Sequence, residues 1–213
     1  MKKRIKNLDE MVALHQKWLN NDPEGVRADF SNANLKKVKL KGKNLSLASF
    51  FACNLNNADL RDTNLQGCVF ENAVAKNANF KGADMSLCNL INANFDSSDM
   101  RFVNLRNAKA ETVSMQCVNL MYAKAFGCKF DNSDLDYSNL SNADFSGASL
   151  VRVDFYKARM KNTKLLGADM TGAANYKDKI KKWQKLEMID YELDSKGRKE
   201  DTEFKVASKK RKR

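Results

Sequence analysis

Large apolar side chains recur along this chain at every fifth position. From Phe30 to Met170 there are 29 such positions in unbroken phase, and only Ala75, Ala110 and Ala125 among them are small. Two places before each centre the residue is almost always small, as at Ala33, Val38, Ala48, Cys53, Ala58, Thr63, Cys68 and on to Ala168. The place just before the centre is mostly Asn or Asp, as at Asn34, Asn54, Asp59, Asn64, Asp84, Asp144 and Asp169. A helix would repeat near 3.6 residues and a half-buried strand at 2, so neither fits. Side chains two before the centre and at the centre alternate about an outward one, which describes a short extended stretch with two residues pointing inward. The other two residues, polar or Gly, turn the chain. A chain that turns the same way every five residues winds into a solenoid whose coils pair backbone groups at about 4.8 Å spacing.

The tandem segments NADLR (57–61), NANFK (77–81) and NADFS (142–146) resemble the pentapeptide-repeat family over about residues 28–174. The resemblance implies an all-β solenoid, a right-handed quadrilateral β-helix with four repeats per coil. The 29 repeats then make about seven coils and a rod of about 35 Å. Four repeats per coil would put position n over n minus 20. Ala75, Ala110 and Ala125 would lie beneath Phe95, Phe130 and Phe145, each able to lean into the gap, and Phe30, Phe50 and Phe70 would stack. Lys43 falls in an inward small slot, where an unpaired ammonium would be costly, so it is expected to reach outward or lie under a cap.

An open coil exposes apolar rings and unpaired edges, so both ends need covers. Residues 1–27 read as an N-terminal capping helix and turn, with Asn7 as N-cap, Glu10 three places on, and an apolar face of Leu8, Met11, Val12, Trp18 and Leu19. Residues 175–196 read as a C-terminal amphipathic helix bearing Tyr176, Ile180, Trp183, Leu186, Ile189 and Leu193. Its alternatives are a cap over the last coil or a homodimer contact through Ile180, Trp183, Leu186 and Ile189. Residues 197–213 form a basic tail with little apolar content, expected to be disordered.

Composition narrows the class. There is one Pro, 43% of residues are apolar, and no apolar run is long enough to span a bilayer. The basic start lacks an apolar h-region, so no signal peptide is expected. The five Cys lack zinc or disulfide spacing, and four of them (Cys53, Cys68, Cys88 and Cys128) occupy the small inward slot, which suits a reduced, cytoplasmic protein. Net charge is +12, of which residues 28–172 contribute 18 basic and 14 acidic side chains. The last 41 residues are the most basic for their length and end in SKKRKR.

The pattern leaves no concave site for catalysis, so the chain is not expected to be an enzyme, and no metal or cofactor is expected. The lone His15 reads as a cap-packing residue, and the carboxylates before the centres read as turn-forming. Function must then lie on the outer faces. One column carries Lys41, Arg61, Lys81, Arg101 and Lys161, with Phe102 and Tyr122 beside it, a candidate anion- or partner-binding stripe against a merely solvated face. Phe51, Ile91 and Val151 share another face as a candidate docking patch.

Three functions follow. The foremost is a non-enzymatic scaffold that binds a protein partner through its outer faces. The resemblance also implies a second, since members of the family act on type II topoisomerases (DNA gyrase, topoisomerase IV) as DNA mimics; a rod of about 35 Å matches about ten base pairs, although coils of net +4 and an unbroken phase without loops depart from that pattern. The third is a nucleic-acid binder using the basic column and tail.

Overall fold

The computed structural model describes residues 7–179. The expected C-terminal helix contacts Ile180, Trp183, Leu186 and Ile189, and the basic tail, lie outside the described residues. Parallel bridges link each residue before a centre to the one twenty further on, from Asp29↔Ser49 to Asp154↔Ala174, without a skipped register. With a turn every five residues, each coil therefore has four sides. We number them from the centres they carry: first side Phe30, Phe50, Phe70; second Leu35, Leu55; third Leu40, Leu60; fourth Leu45, Leu65, and so on up the rod.

A single repeat shows why the pattern has this form. In residues 53–57, Cys53 N–H donates to the Phe50 carbonyl across the turn (3.2 Å), and Asn54 N–H donates to Ala33 in the coil below (2.9 Å). Leu55 and Asn57 donate to Val74 and Lys76 in the coil above (2.7 and 2.9 Å). The fifth amide, Asn56, has no backbone partner and donates to the Oδ1 of Asn54 (3.1 Å). All five donors are thus satisfied, as buried backbone requires. The Asn or Asp that stands before most centres closes an Asx turn. Where Val74 stands instead, Asn56 from the coil below accepts from Lys76 N–H (2.9 Å) in its place.

The turn has a backbone condition of its own. Its third residue has positive φ in every one of the 29 repeats, from Asn32 (59°) to Gly172 (65°). Together with the hydrogen bond across the turn, this marks type II geometry. Seven of the 29 are Gly and nine are Asn, the residues that tolerate the left-handed region most readily.

The inward pairs fill the rod. Phe30, Phe50 and Phe70 stack with ring centroids 4.9 and 4.7 Å apart. The small centres are compensated from above: Phe95 reaches Phe70 and Phe80, which flank Ala75 in the coil below (6.3 and 5.5 Å), and Phe145 reaches Phe130 beside Ala125 (5.7 Å). Some small polar residues in the inward slot hand their proton to the coil below, as Thr63 does to the Leu40 carbonyl (3.0 Å) and Ser133 to Ala110 (2.8 Å), whereas the Ser98 and Ser138 hydroxyls are buried without a partner among the described residues. Cys68 and Cys88 do the same to Leu45 and Leu65 (3.0 Å each). Lys43 is exposed, reaching out of its slot.

The helix α1 (Leu8–Leu19) is capped by the Asn7 side chain, which accepts from Glu10 N–H (3.1 Å). It closes the lower edge of the fourth side. The carbonyls of Asn44 and Ser46 would each receive an amide from a preceding coil; instead Gln16 Nε2 donates to Asn44 (2.5 Å) and His15 Nε2 to Ser46 (3.0 Å). His15 is fully buried, and its Nδ1 accepts from Ala28 N–H (3.1 Å), so the neutral ring carries its proton on Nε2. The chain returns tightly past the helix: a Cβ on Gly25 would lie 2.2 Å from the Trp18 amide nitrogen, so only Gly fits there. At the other end Tyr176 is buried against Phe155 (6.3 Å), and residues 177–179 form a turn.

Two outcomes test this packing. Burial lowers the His15 pKa, with Arg27 adding to the effect and the Ser46 carbonyl opposing it. The unfolded chain therefore binds this proton more readily, and the stability His15 contributes is present above its ordinary value of about 6.5 and declines as pH falls below it. The melting temperature is expected to drop from pH 7.5 to pH 5, and His15→Leu is expected to flatten that component. Second, burial pushes the Cys68 and Cys128 thiols up to about 12 and also raises Cys88 well above the ordinary thiol range, while Cys117 is exposed in a turn. Iodoacetamide on the native protein, read by peptide mass spectrometry, is expected to label Cys117 alone among the five.

Candidate interaction surface

With the interior closed, the side chains left to act are the outward one before each centre and the two turn residues after it. Register places Lys41, Arg61, Lys81, Arg101 and Lys161 one above another at a corner of the third side, interrupted by Met121 and Ser141. The amides of Gly42, Asp62 and Gly82 donate to the carbonyls of Arg61, Lys81 and Arg101 in turn.

The five cations are not equivalent. Arg61 forms a two-bond pair with Asp59, Nε to Oδ1 at 2.8 Å and NH2 to Oδ2 at 2.6 Å. Arg101 repeats this with Asp99 at 2.9 and 2.7 Å. Each Asp Oδ1 also accepts the arginine's own amide, so one carboxylate closes the turn and holds the guanidinium. The arginine hydrogen bond is the main reason both carboxyls lie below the usual range; Lys41 adds to this at Asp59 and Lys81 at Asp99. Half of the lower stripe is therefore internally neutralised, a pairing invisible in a list of cations but legible in the Asp-x-Arg spacing.

Next to the stripe, Phe102 and Tyr122 stack in solvent with centroids 5.1 Å apart and planes within 3°. They are 50% and 46% exposed, and Phe126 on the adjoining fourth side is 52% exposed. Both stacked rings occupy left-handed turn positions (φ 60° each), where Gly or Asn would be less strained. Phe126, like Leu47, Leu87 and Leu166, escaped the sequence reading because its turn slots carry no fixed polarity. Phe51, Ile91 and Val151 share one column of the first side, but Glu71 stands between the first two and Glu111 and Asp131 between the last two. At the corner after the second side, Tyr137 and Tyr156 meet edge to face (5.6 Å), with the Lys157 ammonium 5.2 and 5.0 Å from the two rings.

Sorting residues 28–172 by side shows a polarity that the total conceals. The third and fourth sides carry eleven basic and five acidic residues; the first and second carry seven and nine. The exposed rings Phe102, Tyr122 and Phe126 lie on the cationic half. Among the described residues, no group of His, Cys, Asp and Glu could hold a metal ion, and no helix is long and apolar enough to cross a membrane.

A closed repeat rod whose variable chemistry is confined to outward columns defines a solenoid of the repeat-protein class. The family model for pentapeptide repeats matches in eight copies, at residues 28–67, 53–90, 76–109, 119–162 and 138–173, and the chain belongs to that family. Membership carries with it the right-handed β-helical solenoid, and the match is to no catalytic family. Among solved structures, the chain is similar to a trypsin-treated variant of QnrB1, a plasmid-mediated fluoroquinolone resistance protein (20% identity over 68% of this chain and 81% of that one, TM-score 0.40). It is also similar to Rfr23 from the cyanobacterium Cyanothece 51142 (19% identity, 76% and 95% covered, TM-score 0.39). A third likeness is to HetL, involved in heterocyst differentiation regulation, from Nostoc sp. strain PCC 7120 (22% identity, 67% and 78% covered, TM-score 0.23). No curated protein matches the chain.

The internal pairs make a measurable statement about charge. In Asp59→Asn/Asp99→Asn the amide oxygen can still close each turn while both guanidinium groups are released. Retention on heparin at low salt is expected to rise above that of the wild type, with the melting temperature little changed, since exposed ion pairs contribute little to stability.

Proposed function

We propose that this protein is a non-enzymatic scaffold that holds a protein partner against its outer faces, centred on the corner bearing Phe102, Tyr122 and Phe126. The observation that carries this reading is the stacked pair Phe102–Tyr122. Two large rings stand in water at backbone positions that penalise them, where neighbouring repeats use Gly82 and Asn142. Neither burial nor turn formation accounts for them, and exposed aromatics are the residues that anchor protein interfaces. Because the two rings stack on each other with planes within 3°, one face of each is already covered, which leaves less ring face for bases seeking a stacking surface. The surrounding cationic half favours a partner with acidic residues around an apolar centre.

A second reading, action on a type II topoisomerase as a DNA mimic, draws support from the first and second sides, where acids outnumber bases nine to seven. That surplus is thin beside a duplex with one charge per about 1.7 Å of axis, so the scaffold reading stands first.

The test is capture from host extract with the tagged full chain, with and without nuclease, beside Phe102→Asn/Tyr122→Asn. Asn suits the left-handed slot, so the variant is expected to melt no lower than the wild type. A protein band that survives nuclease and falls at least tenfold with the variant is the expected result. Capture that nuclease abolishes would favour a nucleic-acid partner, and capture indifferent to the two rings would overturn this assignment.

A further inference from the structure

On the third side, the positions immediately before and after each centre lie close enough to bond one another. Asp59 and Arg61 show this about Leu60, and Asp99 and Arg101 about Met100. In the last coil the same two positions about Met160 are Arg159 and Lys161. The backbone there keeps the register of the coils below: Asn139 bridges to Arg159, Leu140 N–H donates to the Arg159 carbonyl (2.8 Å), and Asn142 N–H to the Lys161 carbonyl (2.9 Å). A cation thus occupies the place where two lower coils keep a carboxylate. The coil beneath offers only Asn139 and Ser141 at these positions, so no acid reaches up from below.

These side chains border a cleft of about 590 Å³, lined by Ser141, Arg159, Lys161, Asn162 and Lys179 over Met160. Among the described residues, no carboxylate lines it. Lys179 is fixed at its edge by bonds to the carbonyls of Phe155 and Asn175; on its other flank lies the Asp136 carboxyl of the second side, which burial, Asp134 and Asp154 hold above the usual range against the opposing pull of Lys179. Arg159 and Lys161 take part in no ion pair among the described residues.

We propose that this cleft binds a phosphate group, supplied from outside to the place that Asp59 and Asp99 fill from within. Three cations with a hydroxyl and an amide match a multiply charged oxyanion better than a single carboxylate, which one arginine already satisfies lower on the rod. The cleft has room for more than the phosphate itself, so the group can belong to a free phosphate compound or to the end of a nucleic-acid strand.

The experiment titrates the full chain at low salt with inorganic pyrophosphate and, separately, with a trinucleotide carrying either a 5′-phosphate or a 5′-hydroxyl, followed by calorimetry. Saturable binding of pyrophosphate is expected. Arg159→Asp recreates the internal pair with Lys161 and is expected to weaken it at least tenfold, Lys161→Ala several-fold, and Lys43→Ala, exposed near the other end of the rod, not at all. The melting temperature of each variant verifies folding, and Lys161→Ala carries the test if Arg159→Asp does not fold. Tighter binding of the 5′-phosphorylated strand than of pyrophosphate would assign the source to nucleic acid, and the reverse to a free compound; both support the site. Absence of saturable binding, or equal binding by wild type, Arg159→Asp and Lys161→Ala, would overturn it.

Discussion

Every feature of this rod descends from the need to satisfy five backbone amides in each five-residue repeat. Two donate upward, one downward and one across the turn; the last has no backbone partner and in most repeats turns to the side chain two residues before it. An orphaned amide in so regular a structure would recur dozens of times, and each would forfeit a free energy comparable to a lost hydrogen bond. The Asn or Asp that stands before most centres is therefore part of the backbone scheme. That also explains why so many carboxylates decorate the coil without assembling into acid–base pairs.

The same scheme divides the sequence into legible and illegible positions. The centres and the small inward residues repeat because volume is conserved coil by coil, so period, register and the compensation of Ala75 by Phe95 could be read before any coordinates. Lys43 was legible as an outlier and is exposed. Capping by α1 was legible as an amphipathic face, but not the detail that His15 and Gln16 replace the amides of a missing coil, because that depends on which carbonyls the first turn leaves open.

The candidate surface was less legible. The cationic stripe follows from the twenty-residue stacking, yet its strength depends on side-chain pairing within each turn, and Asp59 and Asp99 remove two of its five charges from general use. Charge by side could be counted only once each residue had a side, and the exposed Phe126 lies in a slot that in other coils holds Ser, Gln, Arg or Leu. Turn positions face water on one flank only, so neither packing nor solvation dictates their identity strongly.

That permissiveness decides where function can reside. Changing an inward residue disturbs the coils above and below, and changing the Asx residue opens an amide. The two turn residues lie outside both roles, and the second of them bears the left-handed backbone. A large side chain there gains nothing from the fold and loses by it, which makes Phe102, Tyr122 and Tyr137 more informative than equally exposed residues elsewhere. The first turn residue carries no such penalty and follows electrostatics instead. Paired with an acid before the centre it is quiet, as in Arg61 and Arg101; beside another cation, as Lys161 is beside Arg159, it keeps a charge that no carboxylate among the described residues pairs.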